Sequence, residues 1–112
     1  MARGMGGMGD IGNLMKQAQQ MMKQREKILA DLKERVVDAT AGGGMVTAFV
    51  NGVQELVKLK LEPEVVDPAE REMLEDLIVA AVNEGVRKSK ELSEQEMGKL
   101  TGGLGGLGGL LG

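Results

Sequence analysis

The hydrophobic and polar positions of this chain follow two different rhythms, and the switch between them defines the elements. From Ile11 to Leu32 the apolar residues recur in alternating steps of four and three: Ile11, Met15, Ala18, Met22, then Arg25 in an apolar slot, then Leu29 and Leu32. That spacing keeps one face of a helix in line and predicts a long helix over residues 10–34 with a heptad-like seam. Asp10 or Asn13 suits its N-terminal cap, because a short oxygen-bearing side chain accepts from the free N–H groups of the first turn. The seam covers roughly 33 Å at 1.5 Å per residue, long enough for the helix to project past a small sheet.

The period then shortens to two. Residues 35–40 read as a strand, Ala41–Gly44 as a Gly-rich turn, Met45–Val50 as a second strand and Val53–Leu61 as a third. Asn51-Gly52 between the last two predicts a two-residue hairpin turn of type I′. In the third strand Val57, Leu59 and Leu61 alternate with Lys58 and Lys60, so one face is expected to be buried and the other wet. Asp67 followed by Pro68 and Glu70 opens a second helix, since proline fits the first helical position, where its missing N–H costs nothing. Met73, Leu74, Leu77, Ile78, Ala81 and Val82 give that helix an apolar stripe running to about Met97. Gly85 lies inside it and implies a bend or a close contact. The fold expected is α+β, in the order α-β-β-β-α, with a three-stranded antiparallel sheet.

The ends carry a different composition. Residues 1–9 are Gly/Met-rich and residues 101–112 Gly/Leu-rich. Both are expected to be flexible, because glycine loses the most backbone entropy on ordering and brings no side chain to bury. A single domain over residues 10–100 remains. A core of that size is marginal alone and gains from oligomerisation.

The missing residue types narrow the function. The 112 residues include no His, Cys, Trp or Tyr, and Phe49 is the lone aromatic. There is no side chain whose ordinary pKa lies near neutrality and no thiolate nucleophile or usual zinc ligand set. An enzyme is not expected, nor a cofactor, a metal or a small-molecule substrate. Glu70, Glu72, Glu75 and Asp76 form an acidic run, but carboxylates in the first turns of a helix are explained by its dipole. Residues 42–44 are glycine, yet they join two strands and lack the following Lys-Ser/Thr of a phosphate loop. No apolar stretch is long enough for a membrane span, and no signal-peptide core follows Arg3, so a cytoplasmic protein is expected.

Net charge is −3, which alone speaks against a nucleic-acid partner. Its distribution does not. Residues 1–40 hold seven basic and five acidic side chains, residues 67–84 one and six, and residues 85–100 four and three. Lys16, Gln20, Lys23 and Lys27 fall on one helical stripe almost opposite the apolar seam. Such a stripe suits phosphate contacts, because lysine and glutamine engage backbone oxygens without reading sequence; an ordinary solvated face has the same appearance. Arg25 could pass beside a partner helix, fix a dimer's register or reach DNA. Arg87, Lys88 and Lys90 form a further basic group, which the dipole of the second helix also favours.

Three blocks of sequence resemble the YbaB/EbfC family of bacterial nucleoid-associated proteins. They are Gly12-Asn13-Leu14-Met15-Lys16-Gln17-Ala18-Gln19-Gln20-Met21, the Gly-rich turn leading to Val46-Thr47 and Val50-Asn51-Gly52, and Glu72 through Asn83. The resemblance covers about residues 10–100. It implies a tweezer-like homodimer with sheets and helices at the interface and helical arms projecting. It also implies binding of duplex DNA with little or modest sequence preference, and a place at the nucleoid. The positions that fit DNA contacts are Lys16, Lys23, Arg25 and Lys27 on the first arm and Arg87, Lys88 and Lys90 on the last helix. Met15, Ala18, Met22, Leu29 and Leu32 fit the dimer seam. The alternative is a protein-binding adaptor dimer, with Met15, Met21, Met22 and the Gly/Leu tail as its surface.

Overall fold

The computed structural model describes residues 2–100. In it α1 spans Ala2–Glu34, β1 Val36–Ala41, β2 Val46–Asn51, β3 Leu56–Leu61 and α2 Arg71–Leu100, with single 3-10 turns at Pro63–Val65 and Pro68–Glu70. The α-β-β-β-α order is the one the pattern predicts. The expectation for the 101–112 tail lies outside the described residues. α1 begins at Ala2, ahead of the expected cap. No proline interrupts its backbone ladder, so Asp10 and Asn13 sit within the helix.

The sheet is an antiparallel meander in the order β1-β2-β3. Gly42, Gly43 and Gly44 all have positive φ, and they turn the chain from β1 into β2. The second connection differs from the expected two-residue turn. β2 runs through Asn51, and four residues join it to β3. The left-handed residue is Gln54, at φ 64°. Asn51 sets this longer loop: its Oδ1 accepts from the N–H groups of Val53 at 3.1 Å and Glu55 at 3.0 Å. A side chain that satisfies two loop N–H groups replaces the tight turn.

The pairing of β3 also departs from simple alternation. Phe49 pairs with Lys58 but Val50 pairs with Leu56, which leaves Val57 in a bulge. Val57 is consequently 53% exposed rather than aligned with Leu59 and Leu61, since an extra residue breaks the two-residue period.

α2 lies across β1 and β2. The core joins Val46 and Ala48 of β2 to Val65 and Ala81, ringed by Ala41, Leu59, Leu61, Leu74, Leu77, Ile78 and Val82. Met73, expected in the stripe, is exposed. Ala81, Gly85 and Ser89 are the buried residues of α2. They are spaced four apart, so small side chains line one ridge and let the helix axis approach the strands. A Cβ at Gly85 would meet Val50 Cγ2 at 2.7 Å, which makes the expected close contact the reason for the glycine. Ser89 Oγ donates to the Asn51 carbonyl at 2.5 Å and accepts from the Gln54 N–H at 3.1 Å and Nε2 at 2.9 Å. This buried hydroxyl ties the β2–β3 loop to α2.

Candidate nucleic-acid interface

α1 leaves the core as an arm. Residues 11–27 are all exposed, Ile28 is half-buried and Leu32 is fully buried. The root of the arm is fastened at three places. The Gly52 N–H donates to the carbonyls of Leu32 at 2.8 Å and Arg35 at 3.0 Å. Arg35 pairs with Glu96 of α2 at 3.1 Å. Glu96 also accepts from Lys99 at 3.0 Å, and these two donors, Lys99 first, hold its carboxyl below the ordinary glutamate value.

On this arm Lys16, Gln20, Lys23 and Lys27 form the predicted stripe, about 16 Å from first to last at helical rise. Among the described residues none of the three lysines has a carboxylate within ion-pair distance, whereas Arg35, Lys60, Arg71, Arg87 and Lys99 all do. The stripe is positive charge with no counterion in contact among the described residues. Arg25 is separate from it. It points to the other side of the helix and lines a groove with Met21, Met22, Leu29, Ser93 and Met97.

The second basic group is engaged differently. Arg87 donates through Nε and Nη2 to Glu84, at 3.0 and 2.5 Å, and through Nη1 to Glu91 at 2.5 Å. Its hydrogen bonds hold the Glu84 carboxyl down, and Glu84 in turn raises the guanidinium value. Lys88 Nζ donates to the Asp38 carbonyl at 2.9 Å, joining α2 to β1. Lys90 is exposed, with no ion pair among the described residues. Sequence spacing alone could not show that Glu84 and Glu91, one turn to either side of Arg87, would both fold onto it. Lys58 is exposed, as the alternation in β3 predicts, and its Nζ lies 5.6 Å from the Phe49 ring centroid.

The seam residues also divide. Met15 and Met22 are 60% and 64% exposed and Leu29 is 37% exposed; Ala18 is exposed as well. Leu32 is buried within its own chain against the Gly52 loop, so its packing is intramolecular. Among the described residues no carboxylate group is arranged to hold a metal ion, and no helix is long and apolar enough to cross a membrane.

Residues 8–104 match the sequence model of the YbaB/EbfC DNA-binding family. The chain belongs to that family. Curated relatives agree: a nucleoid-associated protein of Alkaliphilus metalliredigens is 52% identical over 101 residues, covering 90% of this chain and 89% of that protein. Another, from Lachnoclostridium phytofermentans, is 55% identical over 102 residues, covering 91% and 86%. Among solved structures, an uncharacterized Helicobacter pylori protein, HP0035, superposes with a TM-score of 0.66 at 24% identity, covering 73% of this chain and 86% of that one. At that identity the likeness speaks for the YbaB/EbfC fold alone.

The ion pairs give a first prediction within this YbaB/EbfC arm. Arg87→Ala is expected to change affinity for duplex DNA by less than about twofold, because its charge is already screened by exposed partners. Lys23→Ala is expected to weaken binding roughly five- to tenfold, the value of one charge-assisted contact. Fluorescence anisotropy on one labelled duplex checks both, and equal losses would show that the clamp on Arg87 opens on binding.

Proposed function

We propose that the chain binds duplex DNA as a homodimer at the nucleoid, gripping it through the α1 arms with little sequence preference. The observation that carries this is the unpaired lysine stripe on a projecting helix, set opposite an exposed apolar seam, in a member of a DNA-binding family. The stripe faces phosphates while Met15, Ala18, Met22 and Leu29 face a second copy. Apolar side chains left this open on one helical face call for a cover. Lysine and glutamine read the backbone, not the bases, which is the basis for the low specificity. Lys16, Lys23 and Lys27 are the primary contacts and Lys90 on α2 is a further exposed cation; Arg25, on the other side of α1, and Arg87 and Lys88, whose donors are already used, contribute less. The comparisons give the adaptor reading no support.

A salt titration of DNA binding, run with a sizing measurement, tests the proposal. With three lysines on each of two arms, log affinity against log salt should fall with a slope of up to about −5, at about −0.9 per neutralised phosphate. Between about 50 and 200 mM salt that is a loss of roughly three decades. A slope near zero, or a species of monomer size that still binds fully, contradicts the dimeric grip.

A further inference from the structure

α1 carries a second heptad beside the proposed dimer seam. Leu14, Ala18, Met21, Arg25, Ile28 and Leu32 follow steps of four, three, four, three and four, and this line faces the chain's own α2. Its last members are covered: Leu32 is fully buried and Ile28 is half-buried beside Lys99 and Leu100. Its first members are not, with Leu14 62% and Met21 37% exposed. Among the described residues the cover reaches as far as Leu100.

The sequence beyond that point continues the covering stripe. Ser93, Met97 and Leu100 line the groove against α1. Leu104, Leu107 and Leu111 extend the same line in steps of four, three and four, with glycine filling most intervening places. The two helices run in opposite directions where they meet. Ser89 sits at the loop that abuts Leu32, Ser93 shares the groove with Leu29, and Leu100 lies beside Gln24 and Ile28. Advancing along α2 therefore retreats along α1. Carried on at the same rate, the line brings Leu104 level with Met21, Leu107 with Ala18 and Leu111 with Leu14.

We propose that the Gly/Leu tail, residues 101–112, docks along the exposed part of α1 in its own chain, seating Leu104, Leu107 and Leu111 over Met21, Ala18 and Leu14. The occupant is the chain's own tail because it starts inside the groove, and at helical rise its twelve residues reach about as far as the uncovered part of α1. Glycines between the leucines leave no bulk to hold the backbone away from α1. The docked tail occupies the α2-facing side of the arm, where Met22 also lines the groove; it takes Ala18 from the proposed dimer seam and leaves Met15 for a second copy, so it does not depend on the dimer reading.

The full chain has no cysteine, which permits a direct test by engineered disulfides. Three double variants are compared under one mild oxidant: Ala18→Cys with Leu107→Cys, Leu14→Cys with Leu111→Cys, and the control Gln19→Cys with Leu107→Cys on the far face. The first two should close an intrachain disulfide at least about tenfold faster than the control, at a rate independent of protein concentration. Adding Leu104→Ser to the Ala18/Leu107 pair should slow closure at least about fivefold, while Leu110→Ser, off the stripe, leaves it unchanged. Rates equal to the control overturn the proposal. So does a product that is mainly interchain and speeds up with concentration, which would assign the groove to a second copy.

Discussion

Replacing Lys16, Lys23 and Lys27 together with glutamate abolishes retardation of duplex DNA in a gel at low salt, while the protein keeps its fold and its size. The expected loss is at least about three decades in affinity, because three phosphate contacts disappear from each arm and three repulsive charges replace them. The fold survives because the stripe is exposed and no lysine in it holds an internal partner among the described residues. Circular dichroism and sizing should therefore match the parent protein. Substitution with glutamine is the milder comparison: it removes charge without reversing it, and should lose about half as many decades and flatten the salt slope by about three per arm. A reversed variant that still retards DNA like the parent would move the interface off the arm, and Lys58 and Lys60 on the open side of the sheet would be the next cations to test.

Much of this was legible in the sequence because it is periodic. The four-three seam, the two-residue strands and the Asp67-Pro68 start each follow from a repeat or a local cap, and Asp67 Oδ1 does accept from the Ala69 N–H at 3.0 Å. What was not legible depends on residues distant in sequence. The Val57 bulge follows from how β3 meets β2, and the loop after Asn51 is shaped by Ser89, thirty-five residues beyond Gln54. The spacing of Ala81, Gly85 and Ser89 was the available sign that α2 sits close to the sheet. The candidate site shows the same division. The lysine stripe is a one-helix property and could be placed from spacing. Whether a cation is free depends on rotamers and neighbours, and that separates Lys23 from Arg87. Leu32 satisfies the seam by spacing, yet the arm has already met the Gly52 loop at that level and turns Leu32 inward.

Gly52→Ala should be among the most damaging single-methyl changes in the chain. A Cβ there would lie 2.6 Å from the Leu32 carbonyl oxygen and 2.8 Å from Leu32 Cβ and Cδ2. The first two atoms belong to or adjoin the backbone of α1, and Leu32 is fully buried, so no side-chain rotation relieves the contact. The helix end must move away from the loop. That move also lengthens the bonds from the Gly52 N–H to Leu32 and Arg35. Overpacking of this kind costs about 1–3 kcal/mol and a weakened buried hydrogen bond about 1 more. A loss of about 2–3 kcal/mol corresponds to a fall of roughly 10–20 °C in Tm for a domain of this size. Gly12→Ala is the matched control, since a Cβ there meets nothing within 4 Å and alanine favours a helix by up to about 1 kcal/mol. Both are read by thermal unfolding at one fixed protein concentration, because association shifts the midpoint. The consequence reaches function through geometry. Gly52 holds the root of the arm, so a variant that survives unfolding should present its lysines at an altered angle and bind DNA more weakly, although no cation has changed. A Tm within about 3 °C of the parent would show that the loop yields instead, and that the direction of the arm is set by the Arg35–Glu96 pair.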